Sequence, residues 1–465
     1  MDTEQRYTLW ATSLASFLTS FMTSSLNLAL PGIAETFHLS ATGLGWIVTS
    51  YILATAVCLL PVGKIADQVG RKKIFLQGIG IFLGSSVFCG FAPSKETLLI
   101  FRVIQGIGGA MIFSTSVALL TEVFSPQRRG WVLGINTAAV YTGLSLGPVL
   151  GGLLTEYGGW RSIFFASLLP GVLTLFFLAH GKEKKGYENT QKSFKNLYKS
   201  LDIPGTGLYV LSIVCFMLGF SRIPTLPGFL LTGIGVSLLT WFITFEKERT
   251  HPLLNIRLFT TNRIFAFSNL AALINYSSTS AVSYLLSLYL QYIRGFSPRT
   301  AGLVLVVQPV LQTIFSPLSG KASDRIEPRF LASAGMALAV GGLTAFACLG
   351  GKETSLLLLL FGLSLVGVGF GLFASPNTNS IMSSVDRNEY GVASATLATM
   401  RLLGQMLSLG ITLMVFFVLM GDERITPATY PLFLKGMRIL FSFFAVLNIG
   451  GVFASLARGN RDSLN

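Results

Sequence analysis

Gly63-Lys64-Ile65-Ala66-Asp67-Gln68-Val69-Gly70-Arg71-Lys72-Lys73 lies between two long apolar runs, and a degraded copy, Gly320-Lys321-Ala322-Ser323-Asp324-Arg325, lies between two others. A short polar loop that returns once in each half of an apolar chain points to two related helical bundles. Internal repeats of this kind mark transporters whose halves rock about a central site. A second echo pairs Gly106-Ile107-Gly108-Gly109 with Gly367-Val368-Gly369-Phe370-Gly371, although glycine pairs also serve ordinary helix packing in membranes.

Of 465 residues, 51% are hydrophobic and 12% charged, against about 25% charged in soluble domains. Too few charges remain to cover a water-facing surface, so lipid is the solvent of most of the chain. Only helices and closed barrels satisfy their backbone polar groups there, and a helical crossing takes roughly 20 apolar residues. The apolar runs are too long for barrel strands. Fourteen of them read as spans: 9–30, 45–63, 74–92, 98–120, 131–153, 162–180, 204–220, 227–245, 264–290, 300–319, 330–350, 355–380, 391–419 and 432–456. The pair within 204–245 contains Pro204, Pro224 and Pro227 and also reads as one re-entrant hairpin. No cleavage-site pattern follows the first span, which is expected to stay uncleaved. The expected fold is all-α and integral to the membrane, with a six-helix bundle over 1–180, a linker carrying two extra transmembrane helices over 181–263, and a second six-helix bundle over 264–465.

Most of the 34 Lys and Arg fall in 64–73, 121–130, 181–202, 246–263, 321–329, 386–389 and the two chain ends. Those stretches are expected to face the cytoplasm, which places both termini there in a multi-pass protein of the cell membrane. The net charge of +14 is then a topology signal and an attraction to anionic membrane lipids rather than to nucleic acid. Cys58, Cys89, Cys215 and Cys348 sit in apolar runs without metal-site or disulfide spacing. His38, His180 and His251 do not cluster, and no phosphate-binding Gly-x-x-x-x-Gly-Lys-Ser/Thr loop is present. No metal or cofactor is expected, and no ATPase of the chain's own. The lack of any His/Asp/Glu/Cys cluster at one depth argues against an enzyme, and the lack of a sizeable soluble domain argues against a sensor.

Three further segments carry chemistry. Phe101-Arg102-Val103-Ile104-Gln105-Gly106 puts a guanidinium inside the fourth span, where a charge costs about 2.5–3.5 kcal/mol on insertion scales and should turn inward. Gly143-Leu144-Ser145-Leu146-Gly147-Pro148-Val149-Leu150-Gly151-Gly152 sets small residues every few positions of the fifth span, with a helix-bending proline. Arg401-Leu402-Leu403-Gly404-Gln405 places a second Arg inside the membrane. Together with the repeated loop, these segments resemble the major facilitator superfamily nearly end to end, and within it the fourteen-span drug/proton antiporter branch.

The resemblance implies that the loop with Gly63, Asp67, Gly70 and Arg71 is a latch for the outward-open state. Asp67 would pair with the opposite bundle, and Asp324 and Arg325 are its degraded counterpart. It implies that Arg102 and Gly106 belong to a proton-linked switching motif, and that Gly143, Gly147, Pro148, Gly151 and Gly152 form the signature of exporters. Multidrug members of the branch usually carry an Asp where this chain has Met22. All twenty Asp and Glu fall in loops, termini or final helical turns, with Glu122 the deepest. A cationic substrate is therefore disfavoured against an anionic, zwitterionic or neutral amphipathic one. The polar residues of the central helices should line the cavity: Ser20, Thr23, Ser24, Asn27, Tyr51, Asn136, Tyr141, Asn275, Tyr276, Tyr284, Gln308, Gln312, Asn377, Asn379, Arg401 and Gln405. The expected function is alternating-access export by a monomer, with proton antiport implied by the resemblance. A lipid or lipid-like flippase and an uncoupled metabolite uniporter are the other transport readings.

Overall fold

The computed structural model describes residues 1–180, 202–247, 249, 253–254, 256–323, 325–351, 353–386 and 389–459. Asp324 and most of the 181–202 stretch lie outside them. Among the described residues there is no strand, and helices occupy all fourteen expected segments. In chain order they are α1 (Thr3–Phe37), α2 (Ala41–Val69), α3 (Arg71–Gly90), α4 (Lys95–Val123), α5 (Pro126–Gly158), α6 (Arg161–Ala166) and α7 (Leu168–His180). The hairpin α8 (Ile203–Phe220) and α9 (Leu226–Lys247) follows, then α10 (Ile256–Thr261), α11 (Arg263–Thr279) and α12 (Val282–Leu288). The last six are α13 (Pro298–Leu305), α14 (Val307–Ala322), α15 (Pro328–Ala347), α16 (Leu356–Ser383), α17 (Tyr390–Met420) and α18 (Tyr430–Ala457).

Three expected spans are broken where local chemistry demands it. Pro170 and Pro309 each lack an N–H and crowd the carbonyl one turn back, and the breaks at Ser167 and Val306 fall just before them. Between α11 and α12 the chain turns at Ser280 and Ala281, where the Ala281 amide donates to Ser408 Oγ at 3.0 Å. Among the described residues, twelve helical segments are long and apolar enough to cross a membrane. The first and the α11–α12 segments fall outside that number. α1 is diluted by its Ser and Thr, and α11 alone is 17 residues long. Six threonine and serine hydroxyls of the central helices α1 and α2, including Thr12, Thr19, Thr23 and Thr55, return to their own helix's carbonyls one turn back. They are thus satisfied without water.

Helices α1 to α7 pack chiefly on one another, as do α11, α12 and α14 to α18, whereas α13 lies mainly against α5. Helix α8 lies against both α2 and α17, so the hairpin covers one seam between the two groups. Because successive segments alternate in direction, one end of the molecule carries Gly70 and the α4–α5 turn. The other, the far end, carries His38, Gly159, Gly295 and Gly421, each at positive φ.

Candidate functional site

The two groups meet through backbone at the far end. A Cβ on Gly302 of α13 would lie 2.1 Å from the Pro148 carbonyl oxygen of α5, and one on Gly152 would lie 2.5 Å from the Pro298 carbonyl oxygen. This reciprocal crossing is possible only without side chains. The same stretch of α5 presses its other face on α1, with Gly143, Gly147 and Gly151 against Phe17 O, Ser24 Cβ and Ser25 Cβ at 2.5–2.6 Å. The glycine-rich motif is therefore a two-sided packing surface that joins the groups.

Hydrogen bonds between the groups continue the seam. Ser287 Oγ donates to the Asn27 carbonyl at 2.6 Å, Gln291 Nε2 to Leu28 O at 3.3 Å, and the Ala41 amide to Glu423 O at 3.2 Å. Thr42 Oγ1 donates to Asp422 at 3.2 Å, Tyr284 reaches the Ala41 carbonyl, and the Arg299 amide donates to Glu156 at 3.1 Å. Nearer the middle, Ser145 and Thr313 lie 3.3 Å apart, and Tyr141 and Ser316 3.1 Å apart.

Asp67 is bound within its own group. Its carboxylate takes Arg71 Nε and Nη2 at 2.8 Å, and Arg71 also reaches Glu122 at 3.4 Å. Glu122, expected to be the deepest carboxylate, is exposed. Gly70 is required at φ +108°, whereas Gly63 has only ordinary contact with Ser114 at 3.8 Å. Its counterpart Gly320 is the tighter one, 2.6 Å from Ser375 Oγ, and Arg325 is exposed.

Arg102 turns inward, as its cost in lipid requires. It is 1% exposed, donates from Nε to the Ile47 carbonyl at 3.1 Å and from Nη1 to Gln105 Oε1, and stacks 4.5 Å over the Tyr51 ring. Gln105 passes the chain on to Ser86 Oγ at 2.7 Å. Gly106 and Gly109 make room, since a Cβ at either would collide with the Tyr51 carbonyl or hydroxyl. Tyr51 is consequently a wall of this buried network.

Several expected cavity residues are likewise engaged in holding helices together. Asn136 accepts from Ser16 Oγ at 2.8 Å, Ser24 donates to Leu144 O, and Ser20 faces Gly143. Asn377 accepts from buried Arg458 at 3.1 Å and donates to Ser268 O, and Asn379 donates to Ser323. Gln312 and Asn275 are buried, while Thr23, Gln308 and Gln405 keep partial exposure. Met22 is fully buried, so an aspartate there would meet packed side chains.

Arg401 differs from all of these. It is exposed partway along α17, its guanidinium lies 5.1 Å over the Tyr276 ring of α11, and Tyr141 of the other group is within charge-interaction range of Tyr276. The cation thus sits on a ring that neighbours Tyr141 of the other group, and no carboxylate lies within ion-pair distance of it among the described residues. Arginine there can attract an anion and stack on a flat ring.

Two charged clusters have no counterpart in the sequence expectations. Arg458, 2% exposed, donates to Ser455 O and Oγ, Ser268 Oγ and Asn377 Oδ1. At the chain end it had read as one more basic residue of the positive side. Glu246, also 2% exposed, sits against Asp202 in the hairpin. Its sequence context, Phe245-Glu246-Lys247-Glu248-Arg249, has the look of a solvated charge run. Only Asp202 ahead of Ile203-Pro204 gave a signal, that of a helix N-cap.

The profile of the Major Facilitator Superfamily matches residues 12–409 and 268–458. The chain is 30% identical over 388 residues to the riboflavin transporter RibZ of Clostridioides difficile (strain 630), covering 83% of this chain and 82% of that one. It is also 30% identical over 414 residues to the multidrug resistance protein Stp of Mycobacterium tuberculosis (strain CDC 1551 / Oshkosh), covering 87% and 74%. The fold matches a bacterial homolog of the human lysosomal transporter Spinster, solved inward-facing and unoccupied, with a TM-score of 0.69, 18% identity and 98% of each chain covered.

Proposed function

The chain belongs to the major facilitator superfamily of membrane transporters, and from that premise we propose that it is a secondary-active exporter of small amphipathic molecules working by alternating access. In this reading it is a monomer of the cell membrane with fourteen spans. The bundles are 1–180 and 264–465, with 181–263 inserted between them, and both termini and the Gly70 loop are cytoplasmic. The far-end seam then closes the outer side, and the state described is open toward the cytoplasm. In this reading Asp67 trades Arg71 of its own bundle for a partner on the second bundle when the latch forms.

Arg401 carries the substrate assignment. Exposed between the groups beside Tyr276 and Tyr141, it favours an anionic, zwitterionic or neutral amphiphile with a flat ring over an organic cation. Efflux from proteoliposomes should be measured with fluorescent amphiphiles that differ only in charge, with riboflavin as a neutral probe of the kind that the Clostridioides relative's name suggests. Arg401→Gln is expected to raise the apparent KM for the anionic probe roughly tenfold, the loss of about 1.5 kcal/mol from one charged hydrogen bond, and to leave the neutral probe little changed. Unchanged handling of the anion would refute the assignment. Repeating the assay with and without a pH gradient separates antiport from the uncoupled reading, because a rate indifferent to the gradient excludes obligatory proton coupling.

The latch supplies a second test. The Asp67–Arg71 pair is exposed, so Asp67→Asn should change stability by less than about 1 kcal/mol while slowing turnover. Turnover at the wild-type rate would count against the latch.

A further inference from the structure

The inserted hairpin sets a buried carboxylate, Glu246, against a half-buried one, Asp202. Glu246, in the last turn of α9, is 2% exposed; one oxygen, Oε2, accepts the amides of Leu253 and Leu254 at 2.5 and 3.3 Å. The other, Oε1, is buried and has no hydrogen donor among the described residues. It points at Asp202, the N-cap of α8, whose Oδ1 accepts the Gly205 amide at 3.1 Å and whose Oδ2 is also buried without a donor. Both unsatisfied oxygens crowd one spot: a Cβ on Gly205 would lie 2.4 Å from Asp202 Oδ2 and 2.6 Å from Glu246 Oε1. Glycine at 205 is what lets the two carboxyls meet.

Two carboxylates cannot both ionise at such close range out of water, and one proton shared between them satisfies both oxygens at once. A charge partner stands on the neighbouring helix. Lys64 of the repeated loop, at the end of α2, lies within charge range of Glu246 and of Asp202. The other basic groups of this stretch, Lys247, Arg249 and Arg257, are exposed.

We propose that Asp202 and Glu246 form a one-proton binding site on the inserted hairpin, and that its charge is felt by the gating loop through Lys64. With the proton bound the pair carries a single negative charge, which attracts Lys64. Releasing the proton to water leaves two facing negative charges, which repel each other and draw harder on Lys64. The site lies at the end of the molecule rather than at its middle, so it would set the loop's position without sharing the substrate's cavity.

The existence of the site does not depend on the transport reading, although its coupling role does. Infrared spectra of the protein in lipid bilayers, titrated from acid to alkaline pH, report a protonated carboxyl directly through a carbonyl band that shifts in deuterium oxide. The exposed acids are ionised at neutral pH, so a band persisting there belongs to a buried pair. Wild type is expected to show it. Glu246→Gln and Asp202→Asn are each expected to abolish it, because either amide supplies the missing donor to an ionised partner. If Glu246→Gln fails to fold for want of its grip on Leu253 and Leu254, Asp202→Asn, which leaves that grip intact, is decisive by itself. No band in wild type, or a band surviving Asp202→Asn, overturns the proposal. A band that is present while efflux ignores the pH gradient refutes proton coupling and leaves the site standing.

Discussion

Gly302→Val is expected to leave the chain folded and inserted but to weaken closure of the far end by roughly ten- to a hundredfold. The Cβ position at 302 is 2.1 Å from the Pro148 carbonyl oxygen, an atom that cannot swing aside as a side-chain tip would. The crossing must therefore open, and overpacking of this kind costs about 1–3 kcal/mol. The whole penalty falls on the state in which α5 and α13 touch, so it shifts the balance between states rather than the stability of each bundle. A cysteine introduced by Leu28→Cys, at a position fully buried in this state, with the four native cysteines replaced by alanine, should react with a water-soluble maleimide correspondingly faster in the valine variant. Equal labelling rates with and without the valine would mean that the glycine crossing does not hold the end shut. Gly152→Ala, 2.5 Å from the Pro298 carbonyl oxygen, should act in the same direction.

The largest loss of stability is expected from Arg102→Ala, about 3 kcal/mol or more, read as a fall in the thermal unfolding midpoint of the purified protein. Two hydrogen bonds from a charged donor disappear, at about 1.5–3 kcal/mol each, and the Ile47 carbonyl and Gln105 are left buried without that partner. Tyr51 loses the cation on its ring, and Gln105 loses the group that orients it toward Ser86. Arg102→Lys should restore little, because an ammonium cannot match the planar fork that serves Ile47 and Gln105 together. A lysine variant as stable as wild type would reduce the role of Arg102 to that of a point charge.

Much of this arrangement was legible in the residues. Hydropathy placed a helix on each of the fourteen apolar runs, because lipid leaves the backbone few choices, but gave no sign of the short helix α10. The cost of an unpaired guanidinium predicted the inward turn of Arg102, and the small residues of 143–152 predicted a packing face. What the pattern could not supply was partnership. Asn377 is polar on a central helix and would suit a cavity, yet a residue from the far terminus, Arg458, claims it. Met22 stands where the family pattern puts a charge, but its surroundings leave no room for water. Glu246 reads as solvated because its neighbours in sequence are charged, and only the fold brings Asp202 beside it. The breaks in three helices followed from proline and from one long-range serine contact, and the latter has no local signal.

The seam formed by Gly152, Pro298, Pro148 and Gly302 consists of main-chain atoms, whereas Arg401, Tyr276 and Tyr141 act through side chains. In the proposed cycle a gate of backbone places almost no demand on the chemistry of what passes it, so substitutions on α11 and α17 should alter cargo without disturbing closure. Divergence of substrate within a conserved mechanism is then the expected evolutionary path for a chain built this way, with the glycines fixed and the lining residues free to drift.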